Sequence, residues 1–249
     1  MSASVAELLL VAGIAGLVFL LAAVTQAVSG FGSAMVAVPL LAIAVGPATA
    51  VVAATLVSLP LTAGAWRRER AHVDGRLARV LTLAGVLGMP LGLFALTRLD
   101  DRSLTALVGV GLLVVVALMW RDVTLPAGRG SLWASGVTSG LLLTSTGMNG
   151  PPLVLSLQGA GLAPRRFRAT LQAVFCVQDL VAVAAFALTD HLDATTWAAA
   201  AGGVAGLPVG WAIGNRIFGT LSPERFRAVV LAGLVVTAAV ALGNAFLRS

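Results

Sequence analysis

The residue best placed to do chemistry in this 249-residue chain is Asp179. It stands 11 positions after Arg168 and 11 before Asp190, inside an otherwise apolar run. On a helix rising ~1.5 Å per residue it lies ~16 Å from either end, half-way through a bilayer core of ~30 Å. An unpaired carboxylate at that depth costs at least about 2.5 kcal/mol, so it calls for a partner or a function. Gln172 and Cys176 precede it by seven and three positions, and helical spacing puts all three on one face. That stripe is expected to face a bundle interior, where Asp179 and Gln172 serve proton coupling or gating, or where Asp179 makes a structural hydrogen bond to another helix. Cys176 reads as a small packing residue.

Two glycine-rich stretches are the second chemical feature. Ser29-Gly30-Phe31-Gly32-Ser33 and Thr146-Gly147-Met148-Asn149-Gly150-Pro151-Pro152 each precede a short apolar segment. Glycine permits irregular backbone and proline is accepted at a helix start, so each stretch predicts a break followed by a new helix. Free N–H groups at a helix start attract anions without any lysine. Thr25, Gln26 and Ser29 before the first break, Thr144, Ser145 and Thr146 before the second, and Ser33 and Asn149 within them can replace part of an anion's hydration shell. The candidate substrate-binding set is therefore Gln26, Ser29, Gly30, Phe31, Gly32, Ser33, Thr146, Gly147, Asn149, Gly150 and Pro151. The competing use of such glycines is close packing between membrane helices.

The elements that must position these residues follow from hydropathy. Hydrophobic residues make up 59% and charged residues 10% of the chain, against roughly 25% charged in soluble proteins. So few charges cannot cover a globule, which excludes a soluble enzyme, a nucleic-acid-binding protein and a disulfide-stapled domain; the surrounding partner must be a lipid bilayer. Runs long enough to span cover 8–28, 48–65, 77–97, 104–120, 132–146, 169–188, 196–215 and 226–246, while 34–45 and 153–162 are too short to cross as straight helices. The short pieces read as re-entrant or as parts of broken helices. Pro39, Pro60, Pro90 and Pro208 fall inside apolar runs and favour kinks. The start carries Glu7 and no Lys or Arg, so the first run is expected to be a retained spanning helix, not a cleaved signal.

The net charge of +6 comes from arginines gathered between apolar runs, where they act as topology signals. Arg67, Arg68, Arg70, Arg76 and Arg79 mark one loop as cytoplasmic, as do Arg165, Arg166 and Arg168 another, while Asp190 and Asp193 make a third acidic. Ten crossings with both termini outside satisfy the rule. The single cysteine excludes an internal disulfide, His72 and His191 fall in loops, and no Cys/His pattern suggests a metal or other cofactor.

Gly88-Met89-Pro90-Leu91-Gly92 with Arg98 recurs as Gly206-Leu207-Pro208-Val209-Gly210 with Arg216, at a constant offset of 118; the glycine-rich stretches recur at 117. Matched landmarks predict two halves, 1–122 and 131–249, joined by a linker at 123–130. Each half holds five segments, so the second is inverted, and the opposite charge of equivalent loops agrees. The fold expected is an all-α polytopic membrane protein of two inverted five-segment repeats, each with one short helix. Arg98 and Arg216 would snorkel at opposite faces or attract an anion to each mouth.

The stretch from Gly30 to Ser33 leading into Val38-Pro39-Leu40-Leu41, its echo from Gly147 to Leu155, and the two Gly-x-Pro-x-Gly signatures resemble the sulfite exporter TauE/SafE family over nearly the whole chain. The resemblance implies a permease of the bacterial inner membrane that exports sulfite or organosulfonates, small anions, with a coupling proton or cation. Family motifs read Gly-x-Gly-Gly-Gly or Gly-x-Gly-Gly. Here Ser33 and Ala34 replace two glycines and Asn149 replaces one, so side chains enter where bare backbone would face the ligand. The alternatives are a passive anion channel, distinguished by failure to accumulate substrate against a gradient, and a membrane-embedded enzyme. An enzyme would need gathered ionisable groups, and the sequence offers only the Asp100-Asp101 pair in a turn.

Overall fold

The computed structural model describes residues 4–29, 32–121 and 128–218. Gly30 and Phe31 of the candidate site, and the expected last segment at 226–246, lie outside them. The described chain folds into α1 (Val5–Ser29), α2 (Ser33–Val45), α3 (Pro47–Glu69), α4 (Gly75–Arg98), α5 (Asp101–Trp120), α6 (Arg129–Thr146), α7 (Gly150–Gly159), α8 (Pro164–Leu188) and α9 (Ala194–Phe218), with one 3-10 turn at Arg70–His72. No strand occurs among the described residues. The described residues are all-helical, as befits a multi-pass membrane protein: Val5–Gln26, Pro47–His72, Gly75–Arg98, Pro164–Leu188 and Ala194–Gly214 are each long and apolar enough to cross a bilayer.

Local chemistry sets the helix boundaries. Pro47 opens α3 after Gly46, whose φ of 83° breaks the chain away from α2. Asp74 caps α4 by accepting hydrogen bonds from the N–H groups of Arg76 and Leu77. Pro164 likewise starts α8 earlier than the apolar run suggests. Arg165, Arg166 and Arg168 thus occupy the first turns of α8, and Arg67 and Arg68 the last turn of α3, where the sequence placed them in loops. Hydropathy could not find these boundaries because the terminal turns are charged.

Ion pairs bring the basic segments together. Arg165 Nε lies 2.8 Å from Glu69 Oε2 and Arg166 Nη2 lies 3.1 Å from Asp74 Oδ2, so the end of α3 and the start of α8 share one end of the bundle. Further along, Ser58 and Thr62 of α3 meet Asp179 of α8, which makes the two helices antiparallel.

The tightest packing is glycine on backbone. A Cβ at Gly88 or Gly92 of α4 would strike the carbonyls of Val137 and Leu141 of α6, and one at Gly206 or Gly210 of α9 would strike those of Gly16 and Leu20 of α1. In both pairs residue numbers rise together, so α4 runs parallel to α6 and α9 parallel to α1. Only glycine allows so close an approach, and the gain is dispersion contact along both helices. The opposite face of α4 carries Leu83, Leu87, Leu91 and Phe94, all exposed at helical spacing. Such a stripe suits lipid and would be a liability in water.

Candidate functional site

At the heart of the bundle the two breaks meet. Gly32 holds a left-handed φ of 96° just before α2, and Gly147 a left-handed φ of 72° just after α6. A side chain at either would be strained, which is why the breaks are written with glycine. They line one cavity together with Gln26, Ser33, Asn149, Gly150, Ser58 and Asp179. The space open to the centre of a water-sized sphere is about 30 Å³.

The donors on this cavity come from helix starts. The N–H groups of Ser33 and Ala34 open α2 and that of Gly150 opens α7, positions with no carbonyl one turn earlier within their own helix. Pro151 and Pro152 carry no N–H, so α7 presents fewer backbone donors than an ordinary helix start. Helix starts of this kind carry partial positive charge and favour an anion.

Asp179 is 1% exposed. Its Oδ2 accepts the hydroxyl of Ser58 at 2.8 Å, and the Thr62 hydroxyl lies at 3.2 Å. Thr62 Oγ1 is also 3.1 Å from the carbonyls of Ser58 and Leu59, so its one proton is contested and Ser58 is the firmer donor. No ion pair reaches Asp179 among the described residues. The carboxyl is therefore held by neutral hydroxyls beside the cavity, where its charge can be felt by whatever enters.

The remaining candidates are spread out. Thr146 and Pro151 are buried next to the cavity without lining it, and Thr146 gives its hydroxyl to the carbonyl of Leu142. Thr144 and Ser145 similarly donate to backbone carbonyls, of Met89 and Leu141. Buried hydroxyls in an apolar helix satisfy themselves on the preceding turn, which removes them as ligand donors. Ser29 ends α1. Gln172 does not reach the cavity; two turns before Asp179, it lines a separate, wider one. Among the described residues no group of His, Cys, Asp and Glu could hold a metal ion.

Sequence reasoning missed Gln178. Fully buried, its Oε1 accepts from Ser139 Oγ at 3.0 Å and Asn149 Nδ2 at 3.3 Å, while its Nε2 donates to the Leu81 carbonyl at 3.4 Å. One amide thus ties α8 to α4, to α6 and to the second glycine-rich turn. Gly85 makes room, since a Cβ there would collide with this amide. The signal available was a second polar residue beside Asp179 at mid-depth. Ser58 and Thr62 carried none, being ordinary hydroxyls in an apolar run.

The sulfite exporter TauE/SafE family matches residues 15–241, almost the whole chain and both halves of this site. The chain belongs to that family. Its members are membrane transporters, not enzymes, which removes the catalytic alternative. A relative from Cupriavidus necator, described as a probable sulfite/organosulfonate exporter TauE, is 30% identical over 240 residues, covering 92% of this chain and 93% of its own. No solved structure matches the chain. Membership covers the breaks before α2 and α7 and the Asp179 helix alike, so the cavity lies wholly within the family region.

Proposed function

We propose that the chain is a secondary transporter that exports a small sulfur-containing anion, sulfite or a short organosulfonate, across the bacterial inner membrane with an ion gradient as its coupling partner. The observation that carries this is the convergence of both helix starts and Asp179 on one cavity. Those starts suit an oxyanion, because the positive end of a helix and free N–H groups favour negative charge. Substrate class and outward direction follow the description of the Cupriavidus necator relative.

Asp179 supplies the coupling. A carboxylate charge beside the cavity repels an anion, and in a medium of low dielectric that repulsion is strong. Anion binding and protonation of Asp179 therefore favour each other, and linkage makes the effect reciprocal. The starts of α2 and α7 both line the cavity, so a shift of either changes access to it. That movement fits alternating access about a fixed midplane site.

Two inverted repeats, 1–122 and 131–249 with a linker at 123–130, give this motion its framework. The packing supports them: the α4–α6 and α9–α1 contacts use glycines separated by 118 positions, pressing on carbonyls separated by 121. Antiparallel α3 and α8 agree with inversion. The basic end then lies in the cytoplasm, and ten crossings leave both termini outside.

The test is flux in proteoliposomes. Protein-dependent movement of sulfite and short sulfonates that responds to a pH gradient is expected. Absence of flux for all of them under every gradient would overturn the substrate assignment, and equilibration without accumulation would establish a passive channel instead.

A further inference from the structure

The wide cavity at the basic end has no place in the mechanism above. It measures about 490 Å³ for the centre of a water-sized sphere and is lined by Arg68, Arg165, Arg168 and Glu69, with Gln172 and Trp211 on its walls. Three arginines against one glutamate leave a formal excess of two positive charges. Arg165 is taken by Glu69 at 2.8 Å, whereas Arg68 and Arg168 make no ion pair among the described residues. Two exposed guanidinium groups at the mouth of a concave cavity focus a positive potential there.

Gln26 lines this cavity and the central one alike. It is 6% exposed, and its Oε1 has no hydrogen-bond partner among the described residues. A buried amide oxygen without a donor between two cavities is costly unless something visits it. Rotation of the terminal amide presents either its oxygen or its two N–H donors to the same place.

We propose that this cavity is a capture site for a small oxyanion of the sulfite or sulfonate class, held by Arg68 and Arg168 and handed to the central cavity by the amide of Gln26. The assignment deepens the transport reading and rests on it for the identity of the anion. Guanidinium groups recognise trioxyanions by paired N–H donors, which a compact ammonium cannot do. Placing the charges at the mouth and only neutral donors inside gives attraction without a trap. An anion bound by arginine at the centre would leave slowly.

The experiment reads capture without transport. In full-length protein carrying Cys176→Ala, a cysteine is placed at Ala65, on the wall of the wide cavity, and separately at Leu61. Each is labelled with a sulfonate-bearing and with a trimethylammonium-bearing methanethiosulfonate, and the rate ratio is normalised to a free thiol. The sulfonate reagent is expected to be favoured about tenfold, within the range of electrostatic focusing in a charged cleft. Arg68→Gln with Arg168→Gln should bring the ratio to near one, whereas Glu69→Gln should raise it, a change that misfolding cannot mimic. Ethanesulfonate should slow labelling, and Gln26→Leu should keep that protection while cutting sulfonate flux at least tenfold. A ratio of one at both positions in the parent protein, with flux intact, would overturn capture alone; a high ratio with no flux would overturn the transport reading and leave capture standing. Slowing by phosphatidylglycerol but not by ethanesulfonate would assign the site to a lipid headgroup and overturn the free-anion proposal.

Discussion

Ser58 and Asp179 are 121 residues apart in sequence and joined by a 2.8 Å hydrogen bond between α3 and α8. Among the described residues that line the central cavity, Asp179 carries the one carboxyl group, and the bond fixes it where two antiparallel helices meet. Any relative movement of α3 and α8 must stretch it, so the state of Asp179 and the shape of the cavity are mechanically connected.

Asp179→Asn keeps the shape and the acceptor oxygen for Ser58 but removes the charge. The variant is expected to bind anion with little dependence on pH and to lose gradient-driven accumulation at least tenfold. Proteoliposome uptake measured with and without a pH gradient checks this. Full accumulation by the variant would remove Asp179 from coupling.

Gln178→Leu should be more damaging than its distance from the substrate suggests. It leaves Ser139 and Asn149 without their acceptor and takes from the Leu81 carbonyl the side-chain donor that supplements its helical bond. Each buried group left unsatisfied costs about 1–3 kcal/mol. A clear fall in melting temperature in detergent is expected, together with loss of flux as Asn149 and the second turn shift. Unchanged melting would show that the network carries no stability.

Gly88→Ala and Gly206→Ala should behave as a matched pair. Both force a Cβ against a backbone carbonyl of the neighbouring helix, a clash that only separation can relieve. Overpacking of this kind costs about 1–3 kcal/mol. Gly13→Ala and Gly111→Ala, which meet nothing within 4 Å, serve as controls and should leave thermal stability in place. Equal melting temperatures for all four variants would contradict the packing scheme.

Gly147→Ala separates strain from contact. Alanine in a left-handed conformation costs about 1–2 kcal/mol at any site, and at Gly147 it would also press on Val38 Cγ2 at 3.0 Å beside the cavity. Gly161, at φ 63°, has nothing within 4 Å. Flux should therefore fall at least tenfold in Gly147→Ala and survive in Gly161→Ala. Comparable flux in both would mean that the turn geometry at Gly147 does not shape the site.

Much of the site was legible because few residues in this chain can be polar without a reason. Asp179, Gln26, Ser33 and Asn149 stand out from an apolar background, and Gly32 and Gly147 announce breaks where a helix should continue. Thr146 illustrates the limit. Its type and place suggested a ligand donor, yet its hydroxyl turns back to Leu142, a choice set by local geometry within its own helix. Gln172 shares a helical face with Asp179 and still belongs to a different cavity, because the helices packed against α8 change along its length.

The sequence by itself determined that this chain lives in lipid, where its helices break, and that its landmarks recur at a fixed spacing, since hydropathy and backbone restrictions act over a few neighbouring residues. Only the tertiary structure decided which breaks meet and which hydroxyls reach the carboxyl. It also separated a narrow central cavity from a wide arginine-lined one, with Gln26 on both. Those relations join residues more than a hundred positions apart, and they exist only once glycine-on-carbonyl packing has fixed how far apart the helices stand.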